Sequence, residues 1–312
     1  KCPKKALASL KKSLIGVSSK TGFKILNQIN SNSILAKAEK IVQDCIENDI
    51  QIIPYWNGFY PKDLIHCIDA PFLIYMKGEK NPNNQNLISI VGTRNCTDYG
   101  LKEVKRILKY LKPYPIGIVS GLAYGIDIYT HRTANEFDIV NYAVLGSGIN
   151  NIYPKKHLKE SKKIMENGML ISEYTPNEGP RTYHFPRRNR IIAGVSKCTI
   201  VIESKKTGGA MITGRLANDY SRDVFAVPGN NHQEYSSGSN LLIQRHQATI
   251  LNHPEQIIEA LNIKRVENKT TLIHNKKNLS KEEELVLSII SKNNEMSINE
   301  IQIKSSLKTS FL

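Results

Sequence analysis

Residues 87–94 read Leu87-Ile88-Ser89-Ile90-Val91-Gly92-Thr93-Arg94, a short apolar run closed by glycine that gives way to a polar, basic turn. The pattern recurs. Further runs stand at Ile116 to Val119, Tyr142 to Leu145, Met169 to Ser172, Thr199 to Ile202 and Val224 to Val227, each closed by Gly or a polar turn and followed by a helical stretch. Apolar runs that do not alternate with polar residues belong to strands buried on both faces, and helical crossovers between them make those strands parallel. Residues 50–263 are therefore expected to form a doubly wound α/β domain around a mostly parallel sheet. Such sheets bind ligands outside the carboxyl ends of their strands, near the reversal of crossover direction. The loops after the runs are the place to look for chemistry.

Outward from this domain the pattern changes. Residues 1–49 are polar and helical, and Ile34, Leu35, Ala38, Ile41, Val42, Cys45 and Ile46 recur at three-to-four spacing after Ser33 as N-cap, giving a small helical module. Gln51 to Tyr55 and Phe72 to Met76 read as β-rich pieces before an Asn-rich turn at Asn81 to Asn86. Residues 264–278 read as a polar linker. Beyond them, Ser280-Lys281-Glu282-Glu283 and Ser297-Ile298-Asn299-Glu300 are capping boxes, with Leu285, Val286, Ile289 and Ile290, then Ile298 and Ile301, on the inner faces of the helices they open. Two short helices so connected make residues 279–312 a partial winged-helix-like module whose third helix is missing. With Lys1 in place of Met and an abrupt stop at Phe311-Leu312, the chain is expected to be an excerpt.

Composition narrows the function. Over 312 residues, 43 Lys and Arg against 28 Asp and Glu leave a net charge of +15, which favours a polyanionic partner. No apolar run approaches the roughly 18 residues a membrane span needs, and no signal-peptide core opens the chain. Cys2, Cys45, Cys67, Cys96 and Cys198 form no CxxC pair, which fits reduced thiols in a cytoplasmic protein with neither disulfide frame nor zinc site. GxGxxG and GxxxxGKS/T are both absent, disfavouring a dinucleotide or nucleoside triphosphate cofactor.

The loops carry anion-binding features, none specific alone. After the first run, Gly92 permits a sharp turn, Thr93 caps, and Arg94 stands where a helix N-terminus favours anions. Read singly, this is equally a plain turn with a surface arginine. The second loop, Ser120 to Asp127, holds Gly121 and Gly125 four apart with Tyr124 between them. His131 beyond it reads as a packing or surface histidine, since no carboxylate sits at catalytic spacing. The third loop offers Tyr153 beside Lys155 and Lys156, either a stacking platform for a base or a tyrosine packed under its turn. Next come Arg181, Arg187, Arg188 and Arg190 with no acid among residues 181–190, and with Phe185 and Asn189 interleaved. Charge runs are often mere solvated faces, but this one-sign cluster with aromatics favours a nucleic-acid surface. The fifth loop sets Lys205 and Lys206 before Gly208-Gly209 at a helix start.

In this order, Val91 to Arg94, Ser120 to Asp127, Leu145 to Gly148 with Ile152-Tyr153-Pro154, Phe185 to Gly194, Val227-Pro228-Gly229 and Ser237 to Ile243 resemble the DNA-processing protein A family (DprA, also called Smf). The similarity runs from about Gln51 to about Leu261. It implies an extended Rossmann-like core with an N-terminal helical domain, of SAM or helix-hairpin-helix type, and a C-terminal winged helix. It also implies a bacterial cytoplasmic protein that binds single-stranded DNA, protects it after uptake in natural transformation, helps load the RecA recombinase, dimerises, and has no established catalytic activity or cofactor. By the family's pattern, Arg94 holds phosphates, and the Arg-Asn-Arg segment carries over to Arg188, Asn189 and Arg190, which either touch DNA or support the pocket. Tyr124 stands where many members have Arg and Asn150 where many have Asp; Lys205 and Lys206 supply replacement charge.

The main rival is an enzyme, a Rossmann-like nucleotide hydrolase or N-glycosidase of the lysine-decarboxylase-like class. Its Pro-Gly-Gly-x-Gly-Thr-x-x-Glu loop is faintly similar to the stretch at Gly208, but the glutamate after that loop is missing and Glu203 precedes it. A third reading, transcriptional regulation through the C-terminal module, predicts a preference for duplex DNA.

Overall fold

A computed structural model of the chain describes residues 32–264, 280, 282, 286, 289 and 298–305. The six apolar runs are strands of one sheet: β3 (Asn86–Val91), β4 (Ile116–Ser120), β5 (Val140–Leu145), β6 (Gly168–Ser172), β7 (Cys198–Val201) and β8 (Asp223–Ala226). The two β-rich pieces before them are β1 (Gln51–Pro54) and β2 (Leu73–Gly78), and a two-residue β9 (Thr249–Ile250) completes the sheet in the order β1-β2-β6-β5-β4-β3-β7-β8-β9. From β6 to β9 all neighbours are parallel. β1 and β2 add an antiparallel extension at the β6 edge.

Helices cover both faces: α1 (Asn32–Glu47), α2 (Asp98–Leu111), α3 (Ile126–Glu136), α4 (Leu158–Glu166), α5 (His184–Val195), α6 (Gly209–Asp219), α7 (Ser237–Gln244) and α8 (Glu255–Leu261). Strand periodicity divides the core. Leu87 and Val91 of β3 point to one face, where Ile191, Ile192 and Val195 of α5 and Met211 of α6 meet them. Ile88 and Ile90 point to the other, against Val104, Ile107, Leu108 and Leu111 of α2. Each such side chain contributes roughly 1.5–3 kcal/mol when fully withdrawn from water. Ser89, buried in the middle of β3, is satisfied by the Thr199 hydroxyl at 2.7 Å on β7.

The sheet winds from β3 through β4 and β5 to β6, then returns past β3 to β7, β8 and β9. Crossover direction therefore reverses between β3 and β7, whose last residues, Val91 and Val201, are paired. Gly92 and the loop that follows Val201 leave the sheet side by side at this point.

Helix α1 starts at Asn32, so Ser33 lies within its first turn rather than before it as N-cap. Near its other end Cys45 is buried against Ile50, Ile128 and Leu170. The chain divides into two compact units, Lys1–Arg265 and Val266–Leu312, so α1 falls in the same unit as the sheet. In the second unit, α9 (Ile298–Ser305) starts directly after Ser297, where the second capping box places a helix, with Ile301 half-buried and Ile303 exposed. Residues 1–31 of the helical module, the linker apart from Lys264, and most of the first capping-box helix lie outside the described residues. Among the described residues, no helix is long and apolar enough to cross a membrane, and Cys45, Cys67, Cys96 and Cys198 are free thiols.

Candidate nucleic-acid interface

Backbone contacts weld the loops together at the reversal point. The Thr93 amide donates to the Glu203 carbonyl at 2.7 Å, joining the loops after β3 and β7. The buried Glu203 carboxylate accepts from the Thr97 amide at 2.9 Å and the Thr97 hydroxyl at 2.6 Å, while Thr97 caps α2. Gly125, the N-cap of α3, has φ +74°, and a Cβ there would lie 2.3 Å from the Thr93 carbonyl oxygen. That close approach lets the Ile126 amide reach the same oxygen at 3.1 Å.

Beneath these loops Arg188 of α5 is 4 % exposed. Its Nη1 donates to the Gly121 carbonyl at 2.6 Å and to the Val144 carbonyl, tying together the ends of β4 and β5. The guanidinium fills the space a side chain at Gly121 would need, with the Asp127 carboxylate alongside. Burial lowers the Arg188 pKa to about 10, so it stays cationic at neutral pH, and Asp127 opposes the shift. Burial pushes the Asp127 carboxyl up, against the pull of Arg188 and of nearby amides.

Above this floor opens a cleft of about 550 Å³. Of the expected site residues it brings together Gly92, Thr93, Arg94, Tyr153, Phe185, Arg188, Asn189, Lys205 and Gly208. Arg94 is exposed, and its guanidinium carbon lies 5.8 Å from the centroid of the Phe185 ring. Tyr153 flanks the same ring with 5.5 Å between centroids. Phe185 fits because Gly146 carries no side chain; a Cβ there would come 2.7 Å from the ring. On the opposite loop Lys205 pairs with Glu234 at 2.8 Å and lies 5.0 Å from the centroid of Tyr235. Helix α6 starts in the cleft wall with Gly208 as N-cap and no side chain bonded to its first amides, the arrangement that accommodates anions.

The remaining candidates are placed elsewhere. Arg187 and Arg190 both turn to Oε1 of Glu173, at 3.2 and 2.5 Å, and Arg190 is 8 % exposed. The sequence expectation of one four-arginine cluster on a nucleic-acid surface thus meets a different arrangement: Arg188 holds carbonyls, and an acid outside the 181–190 stretch takes up two of the others. Gly121 and Gly125 shape the floor and hinge of the cleft without lining it. Tyr124 packs edge-on against His157 at 4.9 Å, and Lys155 and Lys206 are exposed outside the lining. His131 is a packing histidine: it is buried, its Nδ1 lies 2.7 Å from the Asn141 side-chain oxygen, and its Nε2 accepts from the Leu122 amide at 3.3 Å. Burial pushes its pKa down to about 4.

Among the lining residues that sequence reasoning did not assign to the site, two make one wall. These are Tyr235 and Asn95, joined by a 2.9 Å hydrogen bond from the Asn95 side-chain Nδ2 to the Tyr235 hydroxyl. The loop after β8 returns to the loop after β7, where the Ser204 amide donates to the Tyr235 carbonyl at 2.6 Å. No spacing in the chain announces that return.

Comparison with known proteins agrees with this architecture. The family model for DNA recombination-mediator protein A matches residues 51–262. Protein Smf of Escherichia coli is 36% identical over 211 residues, covering 67% of this chain and 56% of that protein, so the match spans little more than half of that relative. DNA processing protein DprA of Streptococcus pneumoniae is 37% identical over 200 residues, covering 64% of this chain and 71% of that protein. The X-ray structure of the S. pneumoniae protein superposes with TM-score 0.71 at 31% identity, over 81% of this chain and 86% of that one. DNA processing protein A of Helicobacter pylori, whose structure is described for its single-stranded DNA binding mode, superposes with TM-score 0.61 at 25% identity, over 68% of this chain and 95% of that one. With the family model matching residues 51–262 and these relatives similar over most of that span, the chain belongs to the DNA recombination-mediator protein A family, the family of DprA and Smf.

Proposed function

We propose that this chain is a non-enzymatic, sequence-independent binder of single-stranded DNA that protects incoming DNA in natural transformation and assists RecA loading, acting in the cytoplasm as a homodimer. The roles in protection, RecA loading and dimerisation rest on family membership. The DNA reading rests on the cleft, and one observation carries it: Arg94 stands exposed beside Phe185 at the reversal point, and none of the ion pairs among the described residues involves it. In this reading Arg94 takes a phosphate, the amides at the start of α6 a second, and Phe185 and Tyr153 stack on bases. Arg188 contributes positive potential from the floor. The nucleotide-hydrolase alternative is not favoured, because the Glu203 carboxylate that would serve as its base is occupied by Thr97.

Binding of a labelled oligothymidylate across a range of salt concentrations tests the proposal. These two phosphate contacts give a slope of about −1.4 in log affinity against log salt, and Arg94→Ala makes it shallower by about 0.7. Affinity insensitive to salt, or unaffected by Arg94→Ala, overturns the assignment. Release of free base from nucleoside monophosphates by the purified protein would restore the enzymatic alternative.

A further inference from the structure

Pro186 and Ile212 wall the cleft and also wall a second groove, of about 680 Å³, bounded by Phe72, Arg187, Arg190 and Leu216. At the edge of this groove stand two aromatic side chains, each more than two thirds exposed. Phe72 is 68 % and Trp56 70 % exposed, and their rings meet edge to face with centroids 5.0 Å apart. The platform is built rather than incidental: the Tyr55 amide donates to the Phe72 carbonyl at 2.9 Å, and the Asn57 amide closes a turn onto the Pro54 carbonyl at 2.8 Å, fixing the backbone on both sides of Trp56. Exposed aromatic pairs of this kind mark interaction surfaces, and a flat ring held in place is what a nucleobase stacks on. Next to them the Arg187 side chain is 59 % exposed and shares Oε1 of the mostly buried Glu173 with Arg190. Arg190 still holds that carboxylate when the exposed guanidinium turns to a phosphate.

We infer that the second groove carries the continuation of the strand held in the cleft, with bases stacked on Phe72 and Trp56 and a phosphate on Arg187. This rests on the cleft being a single-strand site as proposed above. A nucleic acid is favoured over a protein occupant by the walls shared with the cleft, by the exposed aromatic pair, and by the adjacent guanidinium.

Trp56 is the single tryptophan of the 312 residues, so intrinsic emission reads this position alone. The experiment titrates the full chain with oligothymidylates of roughly four and roughly sixteen nucleotides, recording both Trp56 emission and anisotropy of the labelled strand. The short strand is expected to bind in an Arg94-dependent manner without altering emission, and the long strand to quench it. Phe72→Ala, an exposed position outside the cleft, should weaken the long strand by about fivefold or more and leave the short one unchanged. If both strands bind through Arg94 while Trp56 emission stays constant, or if Phe72→Ala leaves the long strand's affinity unaltered, the path is refuted, the cleft reading stands, and the aromatic pair is left to a protein partner. If neither strand binds, the cleft reading fails and takes this inference with it.

Discussion

Arg188 reaches the carbonyl of Gly121 at 2.6 Å from a position almost closed to solvent, and this separates its role from that of Arg94. Deleting the guanidinium orphans two buried carbonyls, each costing about 1–3 kcal/mol, and leaves Asp127 without its neighbouring cation. Arg188→Ala should therefore lower unfolding free energy by about 2–4 kcal/mol, whereas Arg94→Ala, at an exposed site, should stay within about 0.5 kcal/mol of the parent. Urea denaturation measures both. An Arg188→Ala protein as stable as the parent would remove the clamp from the account.

Arg190 leads to a sharper contrast. Its partner Glu173 keeps one carboxylate oxygen, Oε2, buried without a hydrogen bond, so the acid is held through Oε1, by the buried Arg190 at 2.5 Å and the more exposed Arg187 at 3.2 Å. Breaking a buried pair by removing one partner costs about 3–5 kcal/mol. Arg190→Ala should show a loss of that order while the salt dependence of DNA binding keeps the parental slope. A shallower slope at parental stability would instead make Arg190 a phosphate contact.

Why the sequence disclosed the sheet but only part of the site follows from these residues. Strands β3 to β8 are visible because unalternated apolar runs have one cheap burial solution, a sheet covered on both faces. Strand β9 is two exposed residues and leaves no such trace. Arg94 was legible because its loop follows a strand directly. The fates of Arg187 and Arg190 were not, since Glu173 arrives from the end of β6, fourteen and seventeen positions earlier, where a local charge count does not look. Tyr235 was hidden for the same reason, its contact with Ser204 being purely tertiary.

The glycines divide into two classes that substitution can tell apart. Gly125 combines φ +74° with a virtual Cβ only 2.3 Å from the Thr93 carbonyl oxygen. Gly125→Ala should cost more than about 1 kcal/mol, from the strained backbone region and from parting the two loops. Gly209 opens α6 with nothing within 4 Å of a virtual Cβ. Gly209→Ala should be neutral or stabilising by up to about 1 kcal/mol through helix propensity. Thermal melts of the pair compare them, and equal effects would show that loop contact at Gly125 is dispensable.

The clasp on Leu122 makes stability depend on pH with a definite sign. Leu122 sits at φ +56°, with its amide bonded to His131 Nε2 at 3.3 Å and its carbonyl 2.8 Å from His157 Nδ1. Only an unprotonated Nε2 can accept that amide, and burial holds His131 neutral down to about pH 4, whereas an unfolded histidine titrates near 6.5. Between those values the unfolded chain binds a proton the native protein does not, so stability rises with pH across the window and is lost as pH falls. At about 1.4 kcal/mol for each pH unit, going from pH 6.5 to pH 4 costs roughly 3 kcal/mol from this group. His131→Gln retains an acceptor for Leu122 and a donor for Asn141 but cannot titrate. Its denaturation free energy should therefore fall less steeply than the parent's between pH 6.5 and 4, the difference isolating His131 from carboxylates common to both proteins. Identical slopes would mean that His131 takes up its proton in the native state and that the Leu122 clasp survives it.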